Sequence, residues 1–299
     1  MLHEPVGSTA PHSGRIVSGL SVDVEEWFQV GAFENTIARD DWDSIGSRVS
    51  DNCGRVIDLF DAWGVKATFF TLGWVAERNP ALIRRIVDAG HEIASHGWDH
   101  RRVFTMDADE FRADIIRARA AIEDAAGVQL RGYRAPSFSI DRRTPWAHEV
   151  LAEQGYAYSS SVAPIAHDHY GWPDAPRFAW QPVDGSPMIE IPVTTVRLGR
   201  RNFGAGGGGF FRILPYGLSR WAIARVTRSE AQPAIFYFHP WEIDPGQPFR
   251  GDAPLRSRLR HYTGLDAMAG KLERLSRDFA WDRIDRIFLS ETGQPGQGQ

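Results

Sequence analysis

"VKATFFTLGWVAERNPALIRRIVDAGHEIASHGWDH", residues 65–100, carries the pattern from which the fold follows. "VKATFFTL" (65–72) reads as a strand, rich in aromatic and β-branched residues. "PALIRRIVDAG" (80–90) reads as a helix with proline at its start and glycine at its end. "HEIAS" (91–95) is again short and strand-like, and three histidines, His91, His96 and His100, mark this end of the stretch. A strand, a helix and a strand in succession form the unit that builds parallel sheets.

The same alternation extends in both directions. On the N-terminal side, "RIVSGLSVDV" (15–24) predicts a strand and residues 50–63 a helix. On the C-terminal side, "DADEFRADIIRARAAIEDAAG" (107–127) is the clearest amphipathic helix. Strand-like "RGYRAP" (131–136), "YAYSSSV" (156–162), "MIEIPVTT" (188–195) and "AIFYFH" (234–239) follow, with helices expected near 145–154, 215–229 and 264–278. About seven such units, without an early phosphate-binding turn, predict an α/β fold with parallel strands in a closed or nearly closed (β/α) barrel. One domain over residues 16–290 is expected, between tails at 1–15 and 291–299.

Composition narrows the class. The chain has 299 residues, 42% of them hydrophobic, with net charge −4 and no long basic run, which gives no reason to expect a nucleic-acid partner. No apolar run is long enough to span a membrane, and the N-terminus lacks the pattern of a signal peptide, so the cytoplasm is the expected location. Cys53 is the only cysteine, which excludes an internal disulfide and cysteine-based zinc sites. Within "NFGAGGGGFFRILPYG" (202–217), Gly204, Gly206 and Gly209 formally spell G-x-G-x-x-G. They neither follow an opening strand nor lead directly into a helix, and an ordered loop near the site is expected instead of a dinucleotide motif.

The chemistry-bearing residues gather at predicted strand ends. His91 and His96 are five apart and cannot share a helix face, whereas His96 and His100, four apart, can share a helix face or a tight turn. Two histidines leave a catalytic metal one protein ligand short, and a carboxylate commonly completes the set. In "SGLSVDVEEWF" (18–28), alternation places Ser21, Asp23 and Glu25 on one face, so two carboxylates point the same way. Beside a dication, one can ligate while the other takes a proton from water. "RGYRAPS" contributes Arg134, able to hold a carboxylate ionised, and "AIFYFHP" ends in His239, placed to act as a general acid.

At these residues the sequence resembles the polysaccharide deacetylases, the carbohydrate esterases that share the chitooligosaccharide-deacetylase homology domain. "SVDVE" stands where that family has T-F-D-D, "HGWDH" matches its H-[ST]-x-x-H, "RAPS" its R-x-P-Y and "FYFH" its L-x-H. "SVDVEEWFQV", "GGGGFFRILPYG" and "HPWEIDP" look like a branch found in exopolysaccharide and exosortase loci, which continues from about residue 241 into a C-terminal extension. The resemblance implies a deformed (β/α) barrel and a divalent metal, usually zinc. The reaction it implies is removal of acetyl groups from an N-acetylhexosamine-containing saccharide.

Carried over by position, Asp23 is the base, Arg134 its tether, His96 and His100 are ligands, and His239 protonates the leaving amine. The backbone N–H of Ser137 joins in stabilising the oxyanion. The family's second aspartate corresponds to Val24 here, and period-2 geometry makes Glu25 the substitute ligand, with Glu26 the alternative. The usual motif orienting the acid histidine is missing, and Asp168, Asp184 and Glu190 are candidates for that task. Trp98, Phe238 and Trp241, adjoining these positions, are expected in the substrate pocket. Two rival readings are a hydrolase of a small cyclic amide, allantoin-like or imide-like, and a catalytically silent saccharide-binding barrel.

Overall fold

The computed structural model describes residues 15–167 and 170–289. Apart from Arg15, both expected tails therefore lie outside the described residues. Strand β1 (Val17–Val24) is the longest and is buried from Ser18 onward. Strands β2 (Thr68–Thr71), β3 (Glu92–Ser95), β4 (Gly132–Tyr133), β5 (Tyr158–Ser159) and β6 (Ile189–Glu190) follow side by side, every pairing parallel. A separate antiparallel hairpin comprises β7 (Thr195–Leu198) and β8 (Arg201–Gly204). Strand β9 (Ile235–Phe238) returns parallel to β1.

Seven parallel strands, from β9 through β1 to β6, thus curl into a half-barrel, as the sequence alternation predicts. The remaining gap, between β6 and β9, is bridged by irregular chain. Ile235 N–H donates to Thr194 Oγ1 (2.5 Å), and Tyr237 N–H donates to the carbonyl of Gly206 (2.7 Å). This is the deformation: two-residue strands and a loop stand where an ideal barrel has another full strand. A short β10 (Ala280–Asp282) also pairs with β1. Gly19 is in register with both Ile235 and Asp282, so β9 and β10 occupy opposite edges of β1, β10 preceding β2 along the same edge.

The helices are α1 (Val49–Trp63), α2 (Gly73–Arg78), α3 (Pro80–Asp88), α4 (Ala108–Ala126), α5 (Ala147–Glu153), α6 (Gly208–Ile213), α7 (Tyr216–Ala224), α8 (Leu255–Tyr262), α9 (Leu265–Asp278) and α10 (Ile284–Phe288). Asp107 and Glu110 close a capping box at the start of α4, satisfying amides that the first turn leaves unpaired. Helix α1 buries Val56, Ile57 and Phe60, and Phe60 meets Phe69 of β2 edge-on. Each such side chain contributes roughly 1.5–3 kcal/mol. Cys53 sits on the same buried face, and burial pushes its thiol well up, which suits a packing residue.

Inside the barrel, Phe70, Ala94, Tyr158, Ile189 and Ile235 make an apolar layer that α10 closes from below with Ile284. The polar groups described next rest above this layer, at the C-terminal strand ends. Several short elements have no expectation in the sequence: α2, α8, α10, β10 and the β7–β8 hairpin. Helix α6 corrects the reading of the glycine run, which does lead into a helix at Gly208. That helix has only six residues, and Gly206 instead approaches Ile235 and Thr194 so closely that a Cβ would collide with backbone.

Candidate functional site

Residues from β1, the loop after β3, the loop after β4 and the end of β9 surround a cleft of about 460 Å³. Asp23 near the end of β1 and Glu25 just past it are both buried and both line it. Arg134, fully buried after β4, donates from one NH group to Asp23 Oδ1 (2.7 Å) and Ser21 Oγ (2.8 Å). Its Nε and other NH group donate to the carbonyl and hydroxyl of Ser160, and its Cζ lies 4.0 Å from the centre of the Phe70 ring. The guanidinium is thus fixed from all sides, and the carboxylate it holds is fixed with it. Asp23 Oδ2 takes no such bond among the described residues.

The histidine pair is set by an unusual turn rather than a helix. Gly97 (φ +78°) and His100 (φ +62°) are both left-handed, and Asp114 accepts the Trp98 N–H (3.1 Å) to hold the loop. For a histidine the left-handed region is uncommon and strained. The two rings come to 5.5 Å between centroids. Ligand atoms of Glu25, His96 and His100 all fall within 4.8 Å of one another.

Two observations make this trio suitable for a cation. His96 Nδ1 donates to the carbonyl of Arg134 (2.8 Å), since a carbonyl can only accept, and this fixes the tautomer that leaves Nε2 as the free lone pair. Glu25 Oε2 is buried, and although His100 Nε2 stands 2.9 Å away, no hydrogen bond satisfies it. Burial would raise the Glu25 carboxyl, but the neighbouring imidazoles of His100, His239 and His96 hold it down at about 2. Burial lowers His96 to about 4, keeping it a neutral, ligand-competent imidazole.

Glu26, the alternative to Glu25, faces the other way. It accepts from the hydroxyl of Ser47 and from the amides of Arg48 and Val49, closing the start of α1. His91 lies at the opposite end of β3, where its Nδ1 accepts the Ala67 N–H (3.2 Å).

His239 faces Glu25 across the cleft, its Nε2 3.5 Å from Oε1. Behind it stands Glu242, which accepts from His239 Nδ1 at 2.8 Å and is itself gripped by Arg212 Nε at 2.5 Å. Burial would lower the imidazole; Glu25 and then Glu242 outweigh it and lift His239 to about 9. Trp241 stacks on His239, 5.1 Å between centroids and 17° between planes, and on its other side meets His261 at 4.3 Å. Its indole N–H donates to Glu25 Oε1 (3.2 Å).

Of the three acids expected behind His239, the two that the structure describes, Asp184 and Glu190, stand elsewhere. Glu190 pins the amides of Ser161 and Val162 and bonds His148 (3.0 Å). Asp184 is exposed on a turn, and Asp168 lies outside the described residues. Glu242 was legible in principle: in "HPWE" it sits three residues after His239, with proline first, the spacing of a capping box.

Of the expected pocket aromatics, Trp241 lines the cleft, whereas Trp98 and Phe238 do not. Trp98 turns into the core against Gly73 and Ala118, with the Arg117 guanidinium 3.5 Å over its ring. Phe238 is buried against Phe60 of α1. Phe238 directly precedes His239 at the end of β9, and alternation sends it to the opposite face, whereas Trp98 takes its direction from the turn between His96 and His100. Tyr237, Phe138 and Tyr170 line the cleft instead. Ser137 lies at its edge with φ +55°, a left-handed turn that breaks the chain direction after Pro136.

Known proteins resemble this chain in sequence and in fold. Residues 39–159 match the family described as Polysaccharide deacetylase, and residues 160–289 match a domain of unknown function, DUF3473. The first match contains His96, His100, Arg134 and Ser137; Asp23 and Glu25 precede it, and His239 and Glu242 fall in the second. A chitooligosaccharide deacetylase of Bradyrhizobium sp. is 34% identical over 108 residues, 36% of this chain and 47% of that protein. A peptidoglycan deacetylase of Helicobacter pylori is 31% identical over 108 residues, 36% of each chain. The chain thus spans less than half the length of these two relatives. Among solved structures, a protein from Mycobacterium smegmatis provisionally described as a polysaccharide deacetylase shares the fold, with a TM-score of 0.62 and 22% identity, covering 95% of this chain and 93% of that one. Residues 39–159, set in this half-barrel, form a domain of the polysaccharide deacetylase family.

Proposed function

We propose that the chain is a divalent-cation-dependent hydrolase that removes N-acetyl groups from a saccharide containing N-acetylhexosamine. One observation carries the reading. A tethered carboxylate with a free oxygen, a Glu–His–His trio and a half-buried histidine backed by an acid converge on one cleft. Glu25, His96 and His100 would hold the cation, and one carboxylate with two neutral imidazoles suits zinc. Bound there, the cation supplies Lewis acidity toward a carbonyl and toward water.

The chain's own groups do the rest. Asp23, its Oδ1 held by Arg134, presents Oδ2 to take a proton from the attacking water. The water oxygen bonds to the acetamide carbon, and the Ser137 N–H stabilises the negative charge that develops on the carbonyl oxygen. As the carbon–nitrogen bond breaks, His239 gives its Nε2 proton to the departing nitrogen, leaving acetate and a free amino sugar. Glu242 fixes the His239 ring by accepting from Nδ1. The cleft volume favours a saccharide over a small cyclic amide, and the strings "SVDVEEWFQV" and "GGGGFFRILPYG" support a role in exopolysaccharide synthesis.

The test is acetate release from N-acetylated oligosaccharides, with a cyclic-imide panel beside it, before and after chelation and zinc restoration. Zinc-restored acetate release from the saccharides is expected. Turnover of imides alone would replace the substrate class. Saccharide binding with no acetate released would leave a silent binding barrel.

A further inference from the structure

The stretch from Ile191 to Ser229 contains no acidic residue and seven arginines, in a chain whose net charge is −4. Arg212 and Arg220 are paired, with Glu242 and Asp278. Arg197, Arg200, Arg201, Arg225 and Arg228 are exposed and take no ion pair among the described residues. The same stretch carries the exposed apolar surface. Seven of the twelve large hydrophobic side chains exposed among the described residues fall between Leu198 and Trp221.

These residues form one neighbourhood. Leu198 and Phe203 project from the β7–β8 hairpin, and Phe203 precedes Gly204, where a Cβ would come within 3.8 Å of the Phe210 ring of α6. Ile213 and Leu214 continue from α6 toward α7, where Leu218 and Trp221 are about half exposed and α7 packs against β7. Arg212 ties α6 to the end of α8 through the carbonyls of Arg260 and His261. Helix α8 adds exposed Leu255 and Leu259, and its Arg256 and Arg260 line the cleft together with Phe210 and Ile213.

We infer that this face is a peripheral docking surface for an anionic lipid bilayer, with the cleft opening beside it. No helix among the described residues is long and apolar enough to cross a membrane, so attachment would be interfacial. Aromatic and leucine side chains flanked by unpaired arginines are the composition that enters the headgroup boundary, apolar groups downward and guanidiniums against phosphates. Charge decides against a two-fold self-interface, which would bring two sets of unpaired arginines together. The apolar half of the patch argues against a soluble polyanion, which would leave Leu218 and Trp221 wet.

Vesicle sedimentation of the full chain tests this without reference to turnover, so it stands or falls separately from the deacetylase reading. Probes are vesicles of phosphatidylcholine alone and of phosphatidylcholine mixed with phosphatidylglycerol, at low and high salt. The wild type is expected to sediment with the anionic vesicles and to be released by salt. Replacing Arg197, Arg200 and Arg201 by glutamine should weaken binding by roughly a hundredfold. Leu218→Ser with Trp221→Ser should abolish it, with unchanged thermal midpoints in both variants. The inference is overturned by failure to sediment with either vesicle, or by binding that both variants retain. It is equally overturned if heparin alone is bound, or if the wild type is a dimer that ignores vesicles and the apolar variant a monomer.

Discussion

Glu242 Oε1 accepts from two donors of His239, the ring Nδ1 at 2.8 Å and the main-chain N–H at 3.0 Å. One carboxylate oxygen therefore sets both the position and the tautomer of the histidine. Glu242→Gln should keep the shape but lose the charge. In the proposed deacetylase we expect kcat to fall about 10–100-fold with KM little changed. Removing the anion lowers the His239 pKa, so the acid form disappears at lower pH, and the alkaline limb of the kcat profile should move down in pH. An unmoved limb would separate Glu242 from the proton-donating step.

Asp23→Asn should leave the cation-binding trio intact, because Asp23 is not among Glu25, His96 and His100. Turnover is expected to fall on the order of 10²–10⁴-fold. Metal content per chain and acetate release, measured on one preparation, check the two halves separately. Near-normal turnover would remove Asp23 from the role of base.

His96→Ala combined with His100→Ala should abolish stoichiometric binding of zinc, read by elemental analysis after dialysis. One equivalent in the wild type and none in the variant is the expected result. Equal content in both would move the ion elsewhere in the chain.

Gly208 opens α6 directly against the Glu242 carboxylate, and a Cβ there would overlap it. Gly208→Ala should displace Glu242 and so reproduce the shifted pH limb of Glu242→Gln. Gly209→Ala, with nothing near its Cβ position, is the control and should change neither activity nor thermal midpoint by much.

Glu92 sits deep below the site, accepting from Thr68 Oγ1 and Tyr158 OH. Burial, with Asp285 adding to it, pushes its carboxyl up to about 8. Between about pH 4.5 and 8 the unfolded chain releases this proton while the folded chain keeps it, so stability should fall as pH rises through that window. Glu92→Gln should flatten the decline, a difference on the order of a few kcal/mol at the upper end. Thermal midpoints against pH for both proteins measure it; parallel curves would refute the assignment.

Periodicity made the long elements legible. Alternation along β1 correctly joins Ser21 and Asp23 on the face that meets Arg134, because one buried face leaves no other register. The short strands with aromatic or β-branched runs around them were legible, but β10 and α6, of three and six residues, were not, since so short a span shows no period. His96 and His100 come together through left-handed residues in a turn, where helical spacing gives the correct proximity for a different reason. Trp98 shows the limit of adjacency: sharing a motif with two histidines says nothing about which side of the chain a ring takes. The expected acids, Asp168, Asp184 and Glu190, all lie upstream of His239 in sequence, whereas its partner Glu242 lies three residues downstream, on the turn that follows β9.

Strand β1, which carries Asp23 and leads directly into Glu25, is flanked by β9 along one edge and by β10 and β2 along the other. Ser21 reaches across 215 positions of sequence to the carbonyl of Phe236. During synthesis, at about 5–20 residues per second, β1 must therefore wait on the order of ten seconds or more for its later neighbours. Until then it is an open, apolar edge prone to mispairing, and pairings this distant in sequence form slowly. Folding of this barrel should accordingly be slow and chaperone-responsive, with the two halves of the site meeting only as the final strands close.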